Sequence, residues 1–295
     1  MRLVFQLRFI LVFLVLCSVS PKAGILSGFE PFERYLDKFE FMSEFHISCN
    51  GGYFFLHKDS AYLSQYFIET NSDLEFTLVN YRQLVYSIWS LYVRTGMGRQ
   101  DDLVVFDPRN SRYGLIPALE VRLPWFDLNG GLEHFCFHDI DRNDDSTEYW
   151  NKPYVSLRSK NNRLGAYRRR LVDEGKWDLN SRLSWSASVG HYAETVFGIF
   201  PRTILTGGHD YDWEASIESR YAFYKRLSWL VNARVWANWN LSTENKLYQS
   251  YCLSLQSHFR RGHAGSMLYM DYYPLDQLPV RPKDRLLETG IRFYL

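Results

Sequence analysis

The sequence predicts an all-β protein whose strands run antiparallel to their neighbours. The first observation is an alternation of apolar and polar residues, which is typical of strands because their side chains point to opposite faces with a period of two. The second is an aromatic content of 17%, which favours strands over helices. The third is the presence of tight turns between alternating segments, at Lys225-Arg226 and Arg260-Arg261-Gly262.

Five alternating segments fill the C-terminal part of the chain. Their apolar faces run from Trp213 to Phe223, Leu227 to Leu241, Leu247 to Phe259, Ala264 to Tyr272 and Leu287 to Leu295. Their opposite faces are polar and carry a recurrent set of charged residues: Glu214, Glu218, Arg220, Arg234, Asp271, Glu288 and Arg292. Each segment is therefore predicted to be a strand with one apolar and one wet face.

Upstream, strands are predicted with less regular boundaries. The segments are Phe39–Cys49, Ala61–Glu69, Leu74–Arg82, Val85–Met97, Leu115–Trp125, Leu132–His138 and Leu183–Val189. Asn50-Gly51-Gly52 and Asp127 to Gly131 carry the composition of turns. Asp139–Asn151 and Phe200–Asp212 are predicted loops, while Tyr154–Arg170 is strand-like but interrupted by Lys160-Asn161-Asn162.

These strands fit a water-soluble sandwich, a soluble barrel or a barrel in a membrane. Aromatic residues recur near the segment ends on the apolar faces, as in the aromatic girdles of membrane barrels: Trp213, Trp229, Trp239, Tyr251, Phe259 and Tyr272. No uncharged apolar run after Gly24 is long enough for a membrane helix. With roughly 20 to 25 residues per strand and connection, an antiparallel transmembrane β-barrel of about 12 strands is expected, with 10 to 14 possible.

The final strand carries a resemblance to a known class. Leu287 to Leu295, with Phe293 and Tyr294, resembles the C-terminal signature of Gram-negative outer-membrane β-barrels, although the last residue is Leu295 instead of Phe or Trp. The resemblance implies the outer membrane as location, the lipid bilayer as partner and insertion by the outer-membrane assembly machinery. The net charge of +1 gives no field that would attract nucleic acid, and no cofactor is expected.

Three parts of the chain are predicted: a signal peptide at residues 1-23, an N-terminal periplasmic lead-in segment at 24-38 and the β-barrel domain at 39-295. Arg2 and Arg8 precede an apolar core from Phe9 to Cys17, which is too short to span a bilayer as a helix. An uncleaved anchor is the alternative. A short amphipathic helix is predicted from Gly28 to Phe41. Cys49, Cys136 and Cys252 are expected to be buried or lipid-facing apolar residues, since three cysteines cannot form a disulfide framework.

Two groups of residues could carry chemistry. His209, Asp210 and Asp212 lie together after Gly207-Gly208, and a histidine with nearby carboxylates can activate a nucleophile. His134 and His138 lie on one strand face, with Asp139, Asp141 and Asp145 following at the odd spacing of a calcium loop. Asp144 and Trp150 stand where such a loop has its glycine and its glutamate, so a solvated loop is the alternative.

The leading expectation for function is a non-enzymatic outer-membrane barrel that acts in small-solute passage or envelope structure. The charged residues of the polar faces are then lumen-lining groups, paired as structural ladders or selecting solutes. The first alternative is an outer-membrane hydrolase that acts on lipid or peptide at the outer rim through His209 or His134. The second is a secreted soluble β-sheet protein that binds a ligand.

Overall fold

The computed structural model describes residues 39–55, 67–82, 84–98, 107–139, 147–159, 182–193, 195–196, 200–201, 211–226, 228–261, 264–278 and 282–294. The predicted signal peptide, at 1-23, and the lead-in segment, at 24-38, lie outside these residues, as do His209, Asp210, Asp141 and Asp145. The described part of the chain contains no helix long and apolar enough to cross a bilayer.

Strands make up almost all of the described residues. They are β1 (Phe39–Phe55), β2 (Ile68–Tyr81), β3 (Val85–Gly98), β4 (Asp107–Arg122), β5 (Phe126–Asp139), β6 (Thr147–Ser159), β7 (Leu183–His191), β8 (Thr195–Val196), β9 (Phe200–Pro201), β10 (Tyr211–Arg226), β11 (Trp229–Ser242), β12 (Leu247–Arg261), β13 (Ala264–Asp276) and β14 (Leu286–Tyr294). The short strands β8 and β9 pair only with each other, and the other twelve form one closed barrel. The predicted fold class and strand number are confirmed.

The barrel closes where its first and last strands pair. β1 and β14 run antiparallel, with a register from Ser48 opposite Tyr294 to Phe55 opposite Leu287. The remaining barrel strands follow in the order β14-β13-β12-β11-β10-β7-β6-β5-β4-β3-β2, and β2 returns to β1. Closure matters because an open edge would leave N–H and C=O groups unpaired, at a cost of several kcal/mol each in hydrocarbon.

The two ends of the barrel differ in their connections. At the end where β1 begins and β14 ends, 82–84, 123–125, 227–228 and 262–263 are short turns, and only 160–182 is long. At the opposite end, 56–67, 99–106, 140–146, 192–210 and 277–285 are longer, and only 243–246 is short. We call these the turn end and the loop end. In outer-membrane barrels, short turns face the periplasm and longer loops face outward.

Apolar side chains cover the outer wall. Aliphatic residues of the middle of the strands point outward, among them Val235, Leu253, Leu268 and Ile291. Exposed aromatic residues concentrate toward the two ends of the strands: Phe39, Phe41, Trp125, Phe223, Trp229, Phe259 and Phe293 at the turn end, and Tyr53, Tyr113, Trp213 and Tyr272 toward the loop end. Two aromatic belts around an aliphatic band are the exterior of a barrel that sits in a bilayer.

Two predicted turns were wrong because pairs of glycines occur inside strands. Asn50-Gly51-Gly52 lies within β1, and a side chain at Gly52 would collide with Glu288 and with the hydroxyl of Tyr269. Asp127 to Gly131 lies within β5, where Gly131 packs closely against the backbone of β4; the turn is at 123–125. These glycines allow close packing within the wall instead of reversing the chain.

Other boundaries also differ from those that the sequence predicts. Phe39 to Phe41, the end of the predicted helix, belong to β1. The predicted segments Ala61–Glu69 and Leu74–Arg82 meet in one strand, β2, with 61–66 outside the described residues. The predicted loop Asp139–Asn151 is shorter, because β6 already begins at Thr147 and then runs to Ser159. Polar residues that face the lumen make a membrane strand look like a loop.

Candidate functional sites in the lumen and on the outer wall

A network of buried charges crosses the loop-end half of the lumen. The ammonium group of Lys152 on β6 lies 2.7 Å from a carboxylate oxygen of Glu133 on β5 and 2.7 Å from one of Glu214 on β10. Tyr92 donates to Glu133 over 3.2 Å. Each carboxylate therefore has a cation and a neutral donor, which is what buried charges need.

Tyr192, just after β7, completes this network. Its hydroxyl lies 2.9 Å from Glu214 and 3.0 Å from Asn240. Burial, and then the carboxylate of Glu214, raise the pKa of Tyr192 well above its ordinary value, so the phenol stays neutral and donates. Buried aromatic rings pack around it at this level: Tyr92, Phe135, Phe137, Trp150, Tyr211 and Tyr248.

A second cluster links β2, β13 and β14 near the loop end. Lys283, from the connection after β13, reaches Glu69 at 2.9 Å and Glu288 at 3.3 Å. Glu288 also accepts from the hydroxyl of Tyr269 over 2.8 Å, in the space that Gly52 leaves. These contacts tie an inward-folded part of the β13–β14 connection to the barrel wall.

Further toward the turn end, one carboxylate holds two arginines. Glu218 lies 2.7 Å from Arg220 and 2.8 Å from Arg234, which face each other on β10 and β11. Six of the seven predicted lumen-lining residues border the central cavity: Glu214, Arg220, Arg234, Asp271, Glu288 and Arg292. The seventh, Glu218, is held between the two arginines.

The lumen encloses a cavity of about 580 Å³ whose lining comes from both halves of the barrel. Several buried polar atoms of its wall have no hydrogen-bond partner among the described residues: Asn50 Oδ1, Asn71 Oδ1, Arg220 Nε, Asp271 Oδ1 and Arg292 Nε. Buried polar atoms are nearly always satisfied, and water fills polar cavities of this size. The lumen is therefore a hydrated space.

The outer wall of β5 carries a different group of residues. Glu133, Phe135 and Phe137 point into the lumen, so the residues that alternate with them point outward. These are His134, Cys136 and His138. The thiol of Cys136 lies 3.3 Å from Nε2 of His138, and Nδ1 of His134 lies 2.8 Å from Oδ1 of Asn151 on β6.

The side chain of Asn151 fixes the tautomer of His134. An amide oxygen can only accept, so Nδ1 of His134 carries the proton of this hydrogen bond. Asn151 lies on the outer-wall face of β6 and is fully buried, and its backbone bridges to Ala193. His134 is thus an oriented imidazole, two residues from Cys136 on the same face of β5.

This group lies at the level of the loop-end aromatic belt. Cys136 is paired with Tyr113 on β4 and with Tyr149 on β6. The ring of Tyr113 contacts that of His138 edge-on at 5.4 Å, and the ring of Tyr149 is 6.4 Å from that of His134. Tyrosines mark the depth of lipid headgroups and glycerol esters, so the thiol lies where ester bonds of lipids are found.

Of the two predicted chemical clusters, only part is described. Asp212 belongs to β10, and its backbone carbonyl lies 2.8 Å from Nδ1 of His191. Asp212 and His134 are not neighbours, because β6 and β7 lie between β10 and β5 in the barrel. Among the described residues, no group of three or more His, Cys, Asp or Glu could hold a metal ion. Of the predicted calcium loop, His138 contacts a thiol and Asp139 ends β5.

Neither Cys136 nor Asn151 is among the residues for which the sequence predicts chemistry. The available signal was His-x-Cys-x-His, three outward positions of a single strand. Asn151 could not be found without the pairing of β5 with β6, which places it opposite His134.

Comparisons with known proteins agree with the fold. No family model and no curated protein matches the sequence. An outer membrane channel from Pseudomonas putida F1 is 9% identical, with a TM-score of 0.51 over 90% of this chain and 98% of the other. Outer membrane phospholipase A from Escherichia coli is 10% identical, with a TM-score of 0.49 over 85% and 92%. The KdgM porin is 9% identical, with a TM-score of 0.44 over 84% and 98%.

The likeness to the P. putida protein is one of fold, and it agrees with the closed strand order and the apolar exterior. The predicted class and location are confirmed: the chain is a Gram-negative outer-membrane β-barrel.

Proposed function

We propose that the protein is an outer-membrane hydrolase that cleaves acyl esters of membrane lipids, with Cys136 as nucleophile and His134 as base. The observation that carries this proposal is the pair of contacts on the outer wall of β5 and β6: Cys136 with His138, and His134 with Asn151. The thiol contacts one imidazole, and an amide orients the other; a thiol, a base and a group that orients the base are the components of a cysteine nucleophile.

A purely structural role explains this group poorly. Ionisable side chains that face lipid are rare and unfavourable, and two imidazoles and a thiol interrupt the apolar exterior at this point. Elsewhere on the wall, exposed positions hold residues such as Leu253 and Val235. A cluster that costs stability in the bilayer is a candidate for function.

The reaction needs two steps. Rotation about χ1 of Cys136 turns its thiol from His138 toward His134, which lies two residues away on the same face. Nε2 of His134 takes the thiol proton while the sulfur attacks the ester carbonyl carbon. The tetrahedral intermediate then expels the alcohol oxygen, which takes that proton and leaves an acyl thioester on Cys136. Water, deprotonated by His134, attacks the thioester and releases the fatty acid and the thiol.

The depth of the site supports lipid as the substrate. Tyr113 and Tyr149 hold it at the loop-end aromatic belt, where the ester bonds of a lipid in the outer leaflet lie. A lipid reaches this wall by lateral diffusion, and its acyl chains pack against the aliphatic band. A water-soluble peptide has no comparable route to an outward-facing thiol at this depth.

The test is hydrolysis of a phospholipid by the refolded barrel in mixed micelles, measured as the release of fatty acid. Cys136→Ala is expected to abolish release, and His134→Ala to lower kcat by roughly 10²–10⁴. His191→Ala is the matched control. His191, on β7, is another imidazole of the loop-end region, and it is held by the backbone carbonyl of Asp212. Equal activity of wild type and Cys136→Ala would exclude the proposal.

A labelling experiment separates nucleophilic character from simple exposure. Cys49 is also a free cysteine on the outer wall and is more exposed than Cys136; its neighbour is the hydroxyl of Ser72, at 3.5 Å. A lipid-like thioester probe, which acylates a thiol by exchange, is expected to label Cys136 and not Cys49. Preferential labelling of Cys49 would contradict the proposal.

The hydrated cavity supports passage of small solutes as a second function. Its wall carries charges of both signs, and its orphan polar atoms require water. Swelling of protein-containing liposomes in small sugars and in salts tests this directly, with Cys136→Ala as the sample that lacks hydrolysis. Impermeability to every solute would leave the lumen a structural support for the wall.

We propose further that residues 1-23 are a cleaved signal peptide, that 24-38 form the periplasmic lead-in, and that the assembly machinery inserts the barrel through its C-terminal strand. N-terminal sequencing of the protein from outer membranes tests the first point. A mature chain that begins at Met1 would contradict it.

A further inference from the structure

The turn-end half of the lumen contains basic side chains that converge on His258. Arg220 on β10 and Arg292 on β14 border the same cavity as this histidine, which belongs to β12. The ring of His258 lies 3.0 Å from the amide of Asn232 and 6.4 Å from the ring of Tyr294. Several basic side chains therefore share this part of the cavity wall.

Arg292 is not compensated by an acidic partner. Within the described part of the chain it makes no ion pair, and its Nε has no hydrogen-bond partner. The carboxylate that attracts it most, Asp73, is not within ion-pair distance and accepts from the hydroxyl of Ser48 at 3.1 Å and from the amide of Asn71 at 3.0 Å. Arg234 and Arg220 repel it.

Arg220 is only half compensated. It shares one carboxylate, Glu218, with Arg234, and its Nε also lacks a partner. Two charged guanidinium groups therefore keep unsatisfied N–H donors in a confined space of low dielectric. Such charge is unfavourable unless a counter-ion supplies the missing partner.

We infer that Arg220 and Arg292 form a binding site for an oxyanion in the turn-end half of the lumen. Both side chains border the cavity, as do Arg234 and His258. A guanidinium presents parallel N–H donors that match two oxygens of a phosphate or carboxylate, whereas chloride cannot use this geometry. The ligand is a small oxyanion that enters with the water of the lumen. The site is independent of the thiol on the outer wall.

The inference is tested by calorimetric titration of the refolded barrel with inorganic phosphate in detergent micelles, with chloride keeping the ionic strength constant. One phosphate per chain is expected to bind. Arg292→Gln is expected to weaken binding by roughly tenfold or more, the effect of losing one charge-assisted contact. Arg94→Gln is the control, because Arg94 also borders the cavity but lies 5.0 Å over the ring of Tyr92 in the other half.

Two results would overturn the inference: no saturable binding of phosphate, sulfate or acetate, or equal weakening by Arg292→Gln and Arg94→Gln. Folding of each variant is checked by its heat-dependent migration on gels. If Arg292→Gln does not fold, the unfolding temperature of the wild type still tests for the site. Phosphate is then expected to raise its unfolding temperature above that in chloride of equal ionic strength, and no difference counts against the site.

Discussion

Nδ1 of His134 and Oδ1 of Asn151 lie 2.8 Å apart, between directly paired residues of β5 and β6 and on the side that faces lipid. The backbone of Asn151 is fixed as well, because the N–H of Ala193 donates to its main-chain carbonyl over 2.9 Å. A ring fixed by a rigid amide keeps one tautomer and one orientation. This relationship is the basis of the first prediction.

Replacement of Asn151 by alanine is expected to slow hydrolysis without removing it. His134 keeps its nitrogen but loses the group that orients it, so kcat should fall by roughly 10–100-fold while KM changes little. Kinetics of phospholipid hydrolysis in mixed micelles measure both constants. Asn129→Ala, on the lumen side of β5, is the control with unchanged kcat. A selective rise in KM would assign Asn151 to substrate binding instead.

Gly52 and Gly51 are expected to respond differently to the same substitution. A methyl group at Gly52 meets Glu288 and Tyr269, whereas one at Gly51 meets nothing within 4 Å. Gly52→Ala should lower the free energy of unfolding by about 1–3 kcal/mol through overpacking, and Gly51→Ala should leave it nearly unchanged. Urea unfolding in lipid vesicles measures both. Equal effects of the two variants would show that strand flexibility, and not collision, is decisive.

Removal of the buried cation at position 152 is expected to destabilise the barrel strongly. Lys152→Met leaves Glu133 and Glu214 close together without their shared partner, which should cost about 3–5 kcal/mol. The triple variant with Glu133→Gln and Glu214→Gln should recover most of this loss, because the repelling charges are gone. Lys246→Met, in the exposed turn 243–246, is the control. Without recovery in the triple variant, the loss would come from packing of the lysine stem.

A charge placed on the outer wall tests the lipid-facing assignment of the apolar residues. Leu253 points outward from the middle of β12, so Leu253→Arg should lower the free energy of unfolding by about 2–4 kcal/mol in a bilayer. Thr243→Arg, in the turn of the same hairpin, should change it little. The same unfolding measurement serves both variants. A harmless arginine at position 253 would mean that water reaches this face.

The fold could be predicted where one face of a strand is apolar and the other polar. Apolar and polar residues alternate over most of Trp213 to Phe223 and of Leu227 to Leu241, and β10 and β11 lie there. The prediction failed where packing inside the wall required glycine, because Gly52 and Gly131 carry the same local signal as a turn. Sequence alone does not distinguish a glycine that bends the chain from one that leaves room for a neighbour.

The outer-wall site was harder to predict than the lumen. Charges such as Glu214 and Arg234 stand out on polar faces, so their inward position followed from alternation. Cys136 lies on the outward face between Phe135 and Phe137, and the sequence does not distinguish a reactive cysteine there from a small apolar residue. Its relation to Asn151 depends on the register across 140–146, which composition does not determine.

The pairing of β1 with β14 has a consequence for biosynthesis. The barrel closes only when Leu286–Tyr294 pairs with β1, so a chain that lacks this strand cannot close. Without β14, one edge of β1 and one edge of β13 expose unpaired N–H and C=O groups to hydrocarbon, so the chain is not stable in the bilayer. Truncated copies are thereby kept out of the membrane by their own backbone.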